Sequence, residues 1–199
     1  MRPNLIKIKQ IGGARDRIPP QASRMARILI VYSTTDGQTL RICERLRGIL
    51  ESRAHKVSLV PVSHSVDAEL EKNDTIVVGA SIRYGRHQPA VVEFIERNAQ
   101  ALNRKASAFF SVNVVARKPE KNQPETNPYV RKLLRRIAWH PRVAAAFAGK
   151  IDYPRYGIVD RAVIRFIMLL TGGPTDPKAV VEFTDWKQVE AFGDLIATL

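Results

Sequence analysis

A run of hydroxyl side chains follows the first strongly apolar segment of the chain, and these residue types suit the binding of an anion. The segment "RILIVY" at residues 27–32 gives way to "STTDGQT" at residues 33–39. Gly37 would let the backbone bend close to a ligand. Unpaired N–H groups and the positive dipole end of a following helix attract phosphate. The stretch therefore predicts a phosphate-binding loop, although a polar turn that only caps a helix is the alternative.

Two well-known phosphate loops do not occur here, since the chain has neither G-x-x-x-x-G-K-[ST] nor G-x-G-x-x-G. The predicted loop would instead rely on neutral donors. Asp36 is unfavourable beside a phosphate, so we expect its side chain to point away. The residues that we predict to contact the ligand are Ser33, Thr34, Thr35, Asp36, Gly37, Gln38 and Thr39.

Apolar runs that alternate with helical patterns predict a doubly wound sheet of five parallel strands with helices on both faces. The predicted strands cover residues 27–32, 57–62, 75–80, 107–115 and 143–149. The predicted helices cover residues 39–53, 89–102 and 185–198, with Thr184 or Asp185 as the N-cap of the last one. Because ligands bind at the carboxyl ends of the strands in such a sheet, the hydroxyl-rich loop lies where a ligand is expected.

The hydroxyl-rich loop resembles the phosphate loop of the flavodoxins. The matching positions are Val31, Tyr32, Thr34, Gly37 and Thr39, followed by the aliphatic Leu46. Cys43 stands where alanine is usual in that family, which exchanges one small residue for another. The resemblance implies a flavodoxin-like fold that binds flavin mononucleotide (FMN) with its phosphate in this loop.

The resemblance also gives a role to the stretch "GASIRYGRHQP" at residues 79–89. In flavodoxin-like folds this loop reaches the flavin ring, which implies that Tyr84 stacks on the ring and that Gly85 presents a backbone N–H. Arg83 would approach the pyrimidine end of the flavin or an acidic substrate. Tyr84 and His87 are the catalytic candidates, His87 as a proton shuttle, and a solvated loop is the alternative. The other implied cofactor contacts are Ser81, Ile82, Ser111, Val112 and Asn113.

Three stretches resemble a narrower family. These are "SIRYG" at residues 81–85, "SVNVVARKPEK" at 111–121 and "TDWKQV" at 184–189, and "YPRY" at 153–156 supports them. They look like the flavodoxin-like, quinone-dependent protoporphyrinogen IX dehydrogenases of bacterial haem synthesis. The resemblance implies an enzyme that oxidises protoporphyrinogen IX and passes the electrons to menaquinone or ubiquinone.

The formal net charge of +13 arises from two segments of the chain. Residues 1–24 hold six Lys or Arg against one Asp, and residues 117–165 hold twelve against four acidic residues. Such an excess favours anionic lipid, nucleic acid or an acidic small molecule, but no nucleic-acid-binding motif occurs, so no nucleic acid is predicted. The implied substrate carries two propionates, and its candidate partners are Arg83, Arg117, Lys118, Lys121 and Arg155.

The segment "GIVDRAVIRFIMLL" at residues 157–170 reads as an apolar helix that is too short to span a bilayer. Residues 131–137 carry a basic amphipathic pattern nearby. Together they predict a peripheral protein on an anionic membrane surface, which the resemblance places at the cytoplasmic face of the inner membrane. A buried core helix and a homo-oligomer interface are the alternatives for the apolar segment.

The boundaries of the domain follow from what the resemblance covers. We expect residues 1–24 to be a disordered or artefactual extension and residues 25–199 to form the flavodoxin-like domain. The single cysteine excludes an intrachain disulfide, and the four histidines lack metal-ligand spacing, so no metal is predicted.

Two other functions stay open. An NAD(P)H:quinone oxidoreductase of the flavodoxin-like type has a similar loop after its third strand. Such proteins usually carry a Gly-Gly-containing loop after the fourth strand, where this chain has "VNVVARKPEK". A non-catalytic electron-transfer module is the other possibility, but plain flavodoxins are usually acidic and lack a basic insert.

Overall fold

The computed structural model describes residues 25–63 and 66–199. The extension expected at residues 1–24 lies outside the described residues, so that expectation stays a prediction. The strands are β1 (Arg27–Ser33), β2 (Lys56–Pro61), β3 (Thr75–Arg83), β4 (Arg86–His87), β5 (Ala106–Val112), β6 (Val143–Phe147), β7 (Lys150–Asp152) and β8 (Val180–Glu182). The α-helices are α1 (Gln38–Ser52), α2 (Asp67–Leu70), α3 (Pro89–Arg97), α4 (Ala99–Arg104), α5 (Pro128–Arg136), α6 (Ile158–Thr171) and α7 (Trp186–Ile196).

Five parallel strands form the centre of the fold in the order β2-β1-β3-β5-β6, which confirms the predicted doubly wound sheet. The short strand β4 pairs antiparallel with the end of β3. A separate two-stranded antiparallel ribbon, β7-β8, follows the sheet. The basic insert lies between β5 and β6, and the apolar helix α6 lies between β7 and β8.

The apolar runs form strands because the sheet is covered on both faces. Residues 28–31 of β1 are buried, and their side chains alternate between two core clusters. Ile28 and Ile30 belong to the cluster that includes residues of α1 and α7, whereas Leu29 and Val31 belong to the one that includes residues of α3, α4 and α5. Period-two alternation in a strand with two buried faces gives a continuous apolar run.

Local contacts explain two of the differences from the predicted boundaries and the choice between the two predicted N-caps of α7. The fourth predicted strand ends at Val112 because the Asn113 side chain accepts a hydrogen bond from the Ala116 N–H and starts a 3₁₀ turn. The helix predicted at residues 89–102 is broken at Asn98, whose amide donates to the Phe94 carbonyl. Of the two predicted N-caps, Asp185 is the one that caps α7, and its side chain accepts from two backbone N–H groups.

Candidate functional site

A cleft of about 150 Å³ opens at the carboxyl ends of β1, β3 and β5. Its walls are the hydroxyl-rich loop, the turn after β3, the turn after β5 and helix α6. The predicted residues that line it are Thr34, Thr35, Asp36, Gln38, Thr39, Ser81, Ile82, Arg83, Tyr84, Gly85, Val112 and Asn113. A cleft of about 330 Å³ beside α5 is larger, but none of the predicted cofactor residues lines it.

The hydroxyl-rich loop turns sharply before α1. Gly37 has a φ of +85°, a left-handed conformation that glycine adopts without strain, and it stands at the N-cap of the helix. The Thr34 hydroxyl oxygen accepts a hydrogen bond from the Gly37 N–H at 3.0 Å. The Thr35 hydroxyl accepts from the Gln88 amide at 3.1 Å. These contacts fix the loop around the N-terminus of α1.

Three hydroxyl groups at this end of the sheet are buried and have no hydrogen-bond partner among the described residues. They are Ser33 Oγ, Thr39 Oγ1 and Ser81 Oγ. A buried donor left unsatisfied costs about 1–3 kcal/mol, so such groups are rare in structures unless a ligand completes them. Neutral hydroxyl donors beside a helix N-terminus fit the terminal phosphate of a flavin nucleotide.

The side chains of Asp36 and Gln38 take part in protein contacts. The exposed Asp36 carboxylate accepts from the Arg83 guanidinium at 2.9 Å, which satisfies it away from an anion site. The Gln38 amide donates to Thr184 Oγ1 at 2.9 Å and to Glu182 Oε1 at 3.0 Å. The side chains of Asp36 and Gln38 therefore position the loop. Only the backbone groups of these two residues are available to a ligand.

The turn after β3 holds an aromatic ring at the mouth of the cleft. Tyr84 has a φ of +50° and Gly85 a φ of +76°, and the turn joins β3 to β4. The left-handed region is uncommon for residues other than glycine. Tyr84 is 59% exposed, and the Arg83 guanidinium lies over its ring at 5.3 Å and over the Tyr156 ring at 5.6 Å.

His87 lies behind the cleft rather than in its lining. Strand β4 turns its ring into the core, where it shares a hydrogen bond with Ser111 Oγ at 3.0 Å and meets the edge of Phe109. Burial lowers the pKa of His87 to about 4, so the ring is neutral near pH 7. Ser111 also lies outside the lining, and the Asn113 amide donates to its hydroxyl at 3.3 Å. The structure therefore does not bring the proton-shuttle candidate to the cleft.

Of the five cations proposed to bind propionates, only Arg83 lines the cleft. The chain leaves β5 through two 3₁₀ turns, Val114–Arg117 and Pro119–Lys121. Arg117 donates to the Thr171 carbonyl and hydroxyl at 2.9 Å each, so its guanidinium holds the C-terminus of α6. Lys118, Lys121 and Arg155 are absent from the lining.

Several lining residues were not predicted. Lys150 is the first residue of β7 and lies three positions after the end of β6, so the rule that ligands bind at strand ends would have found it. Its ammonium group pairs with Asp152 at 2.9 Å. The apolar wall comes from α6 and carried no sequence signal for this position; its members are Val163, Ile164, Ile167 and Met168.

Helix α6 presents most of its apolar side chains to solvent. Met168 is its only buried residue, and the exposed ones are Ile158, Val159, Val163, Phe166, Ile167, Leu169 and Leu170. Its basic side chains bind the protein instead, because Arg161 donates to the carbonyls of Tyr153 and Tyr156 and Arg165 to that of Thr175. The alternative of a buried core helix is therefore wrong. Within residues 25–63 and 66–199, no helix is long and apolar enough to cross a membrane.

Comparison with known proteins identifies the fold first. The family model described as a flavodoxin domain matches residues 29–178. Oxidised flavodoxin 1 from Bacillus cereus superposes with a TM-score of 0.50 at 13% identity, covering 86% of this chain and 97% of that one. The rubredoxin oxygen:oxidoreductase from Desulfovibrio gigas gives 0.53 at 11% identity, covering 86% of this chain and 35% of that one. The chain is thus a flavodoxin-like α/β protein, as predicted.

Closer relatives narrow the assignment. The chain is 44% identical over 171 residues to an Escherichia coli K12 protein named protoporphyrinogen IX dehydrogenase [quinone], covering 86% of this chain and 94% of the relative. A Leishmania major protein of the same name is 38% identical over 179 residues, covering 89% of this chain and 78% of the relative. The chain therefore belongs to the family of quinone-dependent protoporphyrinogen IX dehydrogenases, which confirms the resemblance seen in the sequence.

The buried His87 predicts a pH dependence of folding. Its folded-state pKa of about 4 lies below the unfolded value near 6.5, so between these pH values the unfolded chain takes up a proton that the folded chain does not. The free energy of unfolding should therefore decrease as the pH falls from 6.5 to 4, by up to about 3 kcal/mol from this residue alone. Urea titrations of wild type and His87→Gln at several pH values measure it.

The exposed His140 provides the control, because His140→Gln should retain the wild-type pH dependence. His87→Gln should flatten the curve over this interval while carboxylate titrations at lower pH persist. Parallel curves for wild type and His87→Gln would show that His87 is protonated equally in both states.

Proposed function

We propose that this chain is an FMN-dependent enzyme that oxidises protoporphyrinogen IX to protoporphyrin IX in haem biosynthesis and transfers the electrons to a membrane quinone, menaquinone or ubiquinone. The observation that carries the proposal is a set of buried hydroxyls at the carboxyl ends of the strands, Ser33, Thr39 and Ser81, which have no hydrogen-bond partner within residues 25–63 and 66–199. The names of the relatives support the substrate and the acceptor.

The residues of the hydroxyl-rich loop would hold the phosphate of FMN. Thr39 and Ser33 can each donate an O–H, and the hydroxyl of Thr34 keeps its proton for donation because its oxygen accepts from Gly37. The N–H groups at the start of α1 add donors and a positive dipole end. FMN, when bound, supplies two-electron redox chemistry, so a six-electron oxidation takes three turnovers.

The remaining walls would orient the ring and the substrate. Tyr84 offers an aromatic face at the mouth, and Gly85 leaves its backbone open to close approach. The apolar side chains Ile164, Ile167 and Met168 exclude water from the opposite wall. A porphyrinogen needs such a wall for its macrocycle and cations for its two propionates. The cations among the lining residues are Arg83 and Lys150, so Lys150 joins Arg83 as a candidate propionate partner.

We also propose that the protein binds the cytoplasmic face of the inner membrane through α6 and α5. The exposed apolar residues of α6 could enter the interface, as amphipathic helices do. Arg131, Lys132 and Arg135 of α5 are exposed, and each basic residue near an anionic leaflet contributes about 1 kcal/mol. A homo-oligomer that buries the same face of α6 is the competing arrangement.

The activity is tested by mixing the FMN-loaded protein anaerobically with protoporphyrinogen IX and a quinone, and separately with NADPH and the same quinone. Formation of protoporphyrin, followed by its absorbance and fluorescence, with matching quinone reduction is expected in the first mixture only. Without the quinone, protoporphyrin should not exceed about one third of the flavin present, because each flavin accepts two of the six electrons. Quinone reduction by NADPH without porphyrinogen oxidation would instead indicate an NAD(P)H:quinone oxidoreductase.

Thr39→Val should change cofactor binding and stability in opposite directions. Removing one hydrogen bond to the charged phosphate should weaken FMN binding by about 1.5–3 kcal/mol. Removing an unsatisfied buried hydroxyl should leave the FMN-free protein as stable as wild type or about 1 kcal/mol more stable, since the hydroxyl loses hydration on burial. Flavin fluorescence titration and denaturation of the FMN-free protein measure the two effects.

Ser58→Ala is the matched control for Thr39→Val, because it removes an exposed hydroxyl from β2 far along the sheet from the cleft. Ser58→Ala should change neither the affinity for FMN nor the stability of the FMN-free protein. Loss of stability in FMN-free Thr39→Val, with unchanged FMN affinity, would assign Thr39 to the core instead of to the phosphate site.

Membrane binding should combine an electrostatic and an apolar component. Vesicles with anionic lipid should retain the protein at low salt and release only part of it at 1 M salt, where the screening length is about 3 Å. The double variant Phe166→Ser, Leu169→Ser should be released completely and should keep its stability, because both side chains are exposed. Co-sedimentation with vesicles measures the bound fraction.

Val180→Ser, which removes an exposed apolar side chain from β8, is the control and should bind vesicles as wild type does. Equal binding of wild type to neutral and anionic vesicles would contradict the electrostatic component. If the double variant instead changes a wild-type oligomer into a monomer without altering vesicle binding, the apolar face of α6 is a subunit interface.

A further inference from the structure

One arginine at the mouth of the cleft joins three separate segments. The Arg83 guanidinium donates through Nη1 to Asp36 of the hydroxyl-rich loop and through Nη2 to Asp160 of α6. The Tyr84 hydroxyl donates to the other oxygen of Asp160. Both oxygens of this carboxylate are therefore bound by side chains from the end of β3 and from the turn that follows it. We call the contacts of Asp160 with Arg83 and Tyr84 the rim latch.

The rim latch holds the first turn of α6 against the cleft. Among the described residues, no other hydrogen bond or ion pair joins α6 to Arg83 or to the turn that follows it. Further along the helix, Ile164, Ile167 and Met168 line the cleft, so the latch fixes the helix as one of its walls. The C-terminal end of α6 is held differently, because Arg117 binds the backbone carbonyl of Thr171.

The donors of the rim latch are arranged in advance for a carboxylate. Arg83 is 20% exposed and lies between the rings of Tyr84 and Tyr156, which restricts its guanidinium. A fixed guanidinium with an adjacent hydroxyl is a strong site for a carboxylate. The hydrogen bond from Tyr84, together with the charge of Arg83, lowers the pKa of Asp160, so this carboxylate is ionised at neutral pH.

Electrostatics limits how a second carboxylate can enter. Arg83 already faces Asp36 and Asp160, so a third carboxylate would place three negative charges around one guanidinium. Exchange of one carboxylate for another keeps the charge balance. Asp36 is the harder one to displace because its loop is fixed by Thr34, Thr35 and Gln88. Asp160 lies on a helical end whose neighbours Ile158 and Val159 are already exposed, so its movement uncovers little additional apolar surface.

We propose that Asp160 is an internal carboxylate that occupies a ligand-carboxylate site formed by Arg83 and Tyr84. A carboxylate on an apolar ligand, such as a porphyrin propionate, displaces Asp160 and detaches the first turn of α6 from Arg83 and Tyr84, while Arg161 keeps the helix bound to the carbonyls of Tyr153 and Tyr156. The choice of a porphyrin rests on the proposed function, whereas the latch itself rests on the contacts of Asp160. Asp160 is thus a positioning residue that closes the cleft until a ligand of the right charge replaces it.

Hydrogen–deuterium exchange of α6 tests the proposal, with protoporphyrin IX as the acid probe and its dimethyl ester as the uncharged probe. In the FMN-loaded wild type, the acid should increase exchange at residues 158–164 and the ester should not. Asp160→Asn should show the increased exchange without ligand. It should also bind protoporphyrin IX roughly five- to tenfold more tightly, because the closed latch no longer reduces the competent population.

Three further variants keep the test decisive. Asp160→Glu restores a carboxylate and should return exchange towards the wild-type value. Tyr84→Phe removes one of the two donors to Asp160 and should give an intermediate exchange rate, even if Asp160→Asn proves unstable. Glu190 lies on α7 and pairs with Arg45 of α1. Glu190→Gln should leave the hydrogen–deuterium exchange of α6 unchanged.

If ligand-free Asp160→Asn exchanges at residues 158–164 as slowly as wild type does, Asp160 does not hold the first turn of α6. Weaker binding of protoporphyrin IX to this variant would show that Asp160 assists the ligand rather than competing with it. If protoporphyrin IX and its dimethyl ester change the exchange of α6 equally, the ligand carboxylate does not displace Asp160. If neither probe binds wild type, both the proposed porphyrin ligand and the proposed porphyrin substrate are contradicted. A difference in α6 exchange between ligand-free Asp160→Asn and ligand-free wild type would still establish the latch.

Discussion

The register of the parallel sheet is the constraint on which the candidate site depends. Pairing aligns Ser33 of β1 with Ala80 of β3, and Ser81 of β3 with Val112 of β5. Because parallel strands end at the same edge, this register gathers hydroxyls that are far apart in the sequence at one edge of the sheet. Both faces of the sheet are covered by helices, so its carboxyl edge is where buried polar groups can meet a ligand. A shift of one residue would turn these side chains to the other face.

The site is built at a cost to the stability of the fold. Unpartnered hydroxyls at Ser33, Thr39 and Ser81 lose hydration, and Tyr84 adopts a left-handed backbone conformation. Helix α6 adds a wall whose outer apolar side chains gain little from folding, since most of them stay exposed. Groups that cost stability in the folded chain and share one cleft are typical of binding sites, where a ligand supplies the missing contacts.

The strands and the position of the cleft could be predicted from the sequence, because apolar runs and strand-end loops are local signals. The sequence could not predict which side of α6 faces the protein. Periodicity places Arg161 and Arg165 on one side of the helix, but it does not reveal that both side chains bind backbone carbonyls of the protein. Arg117 shows a similar ambiguity, since a basic residue near a strand end can serve a helix C-terminus, as this one does, as well as a substrate. Such choices depend on tertiary contacts.

The net charge of the protein does not describe the charge of the cleft. The net charge of +13 suggests a site rich in free cations, yet Arg83 and Lys150, the cations lining the cleft, each pair with a carboxylate of the protein. Long-range attraction of an acidic ligand would therefore come from exposed residues such as those of α5, whose field decays over about 10 Å at 0.1 M salt. A ligand carboxylate at the rim would have to compete with Asp36 and Asp160 for the same donors. A cleft of this kind selects ligands by the geometry of that exchange, because charge alone gives no advantage at a guanidinium that is already neutralised.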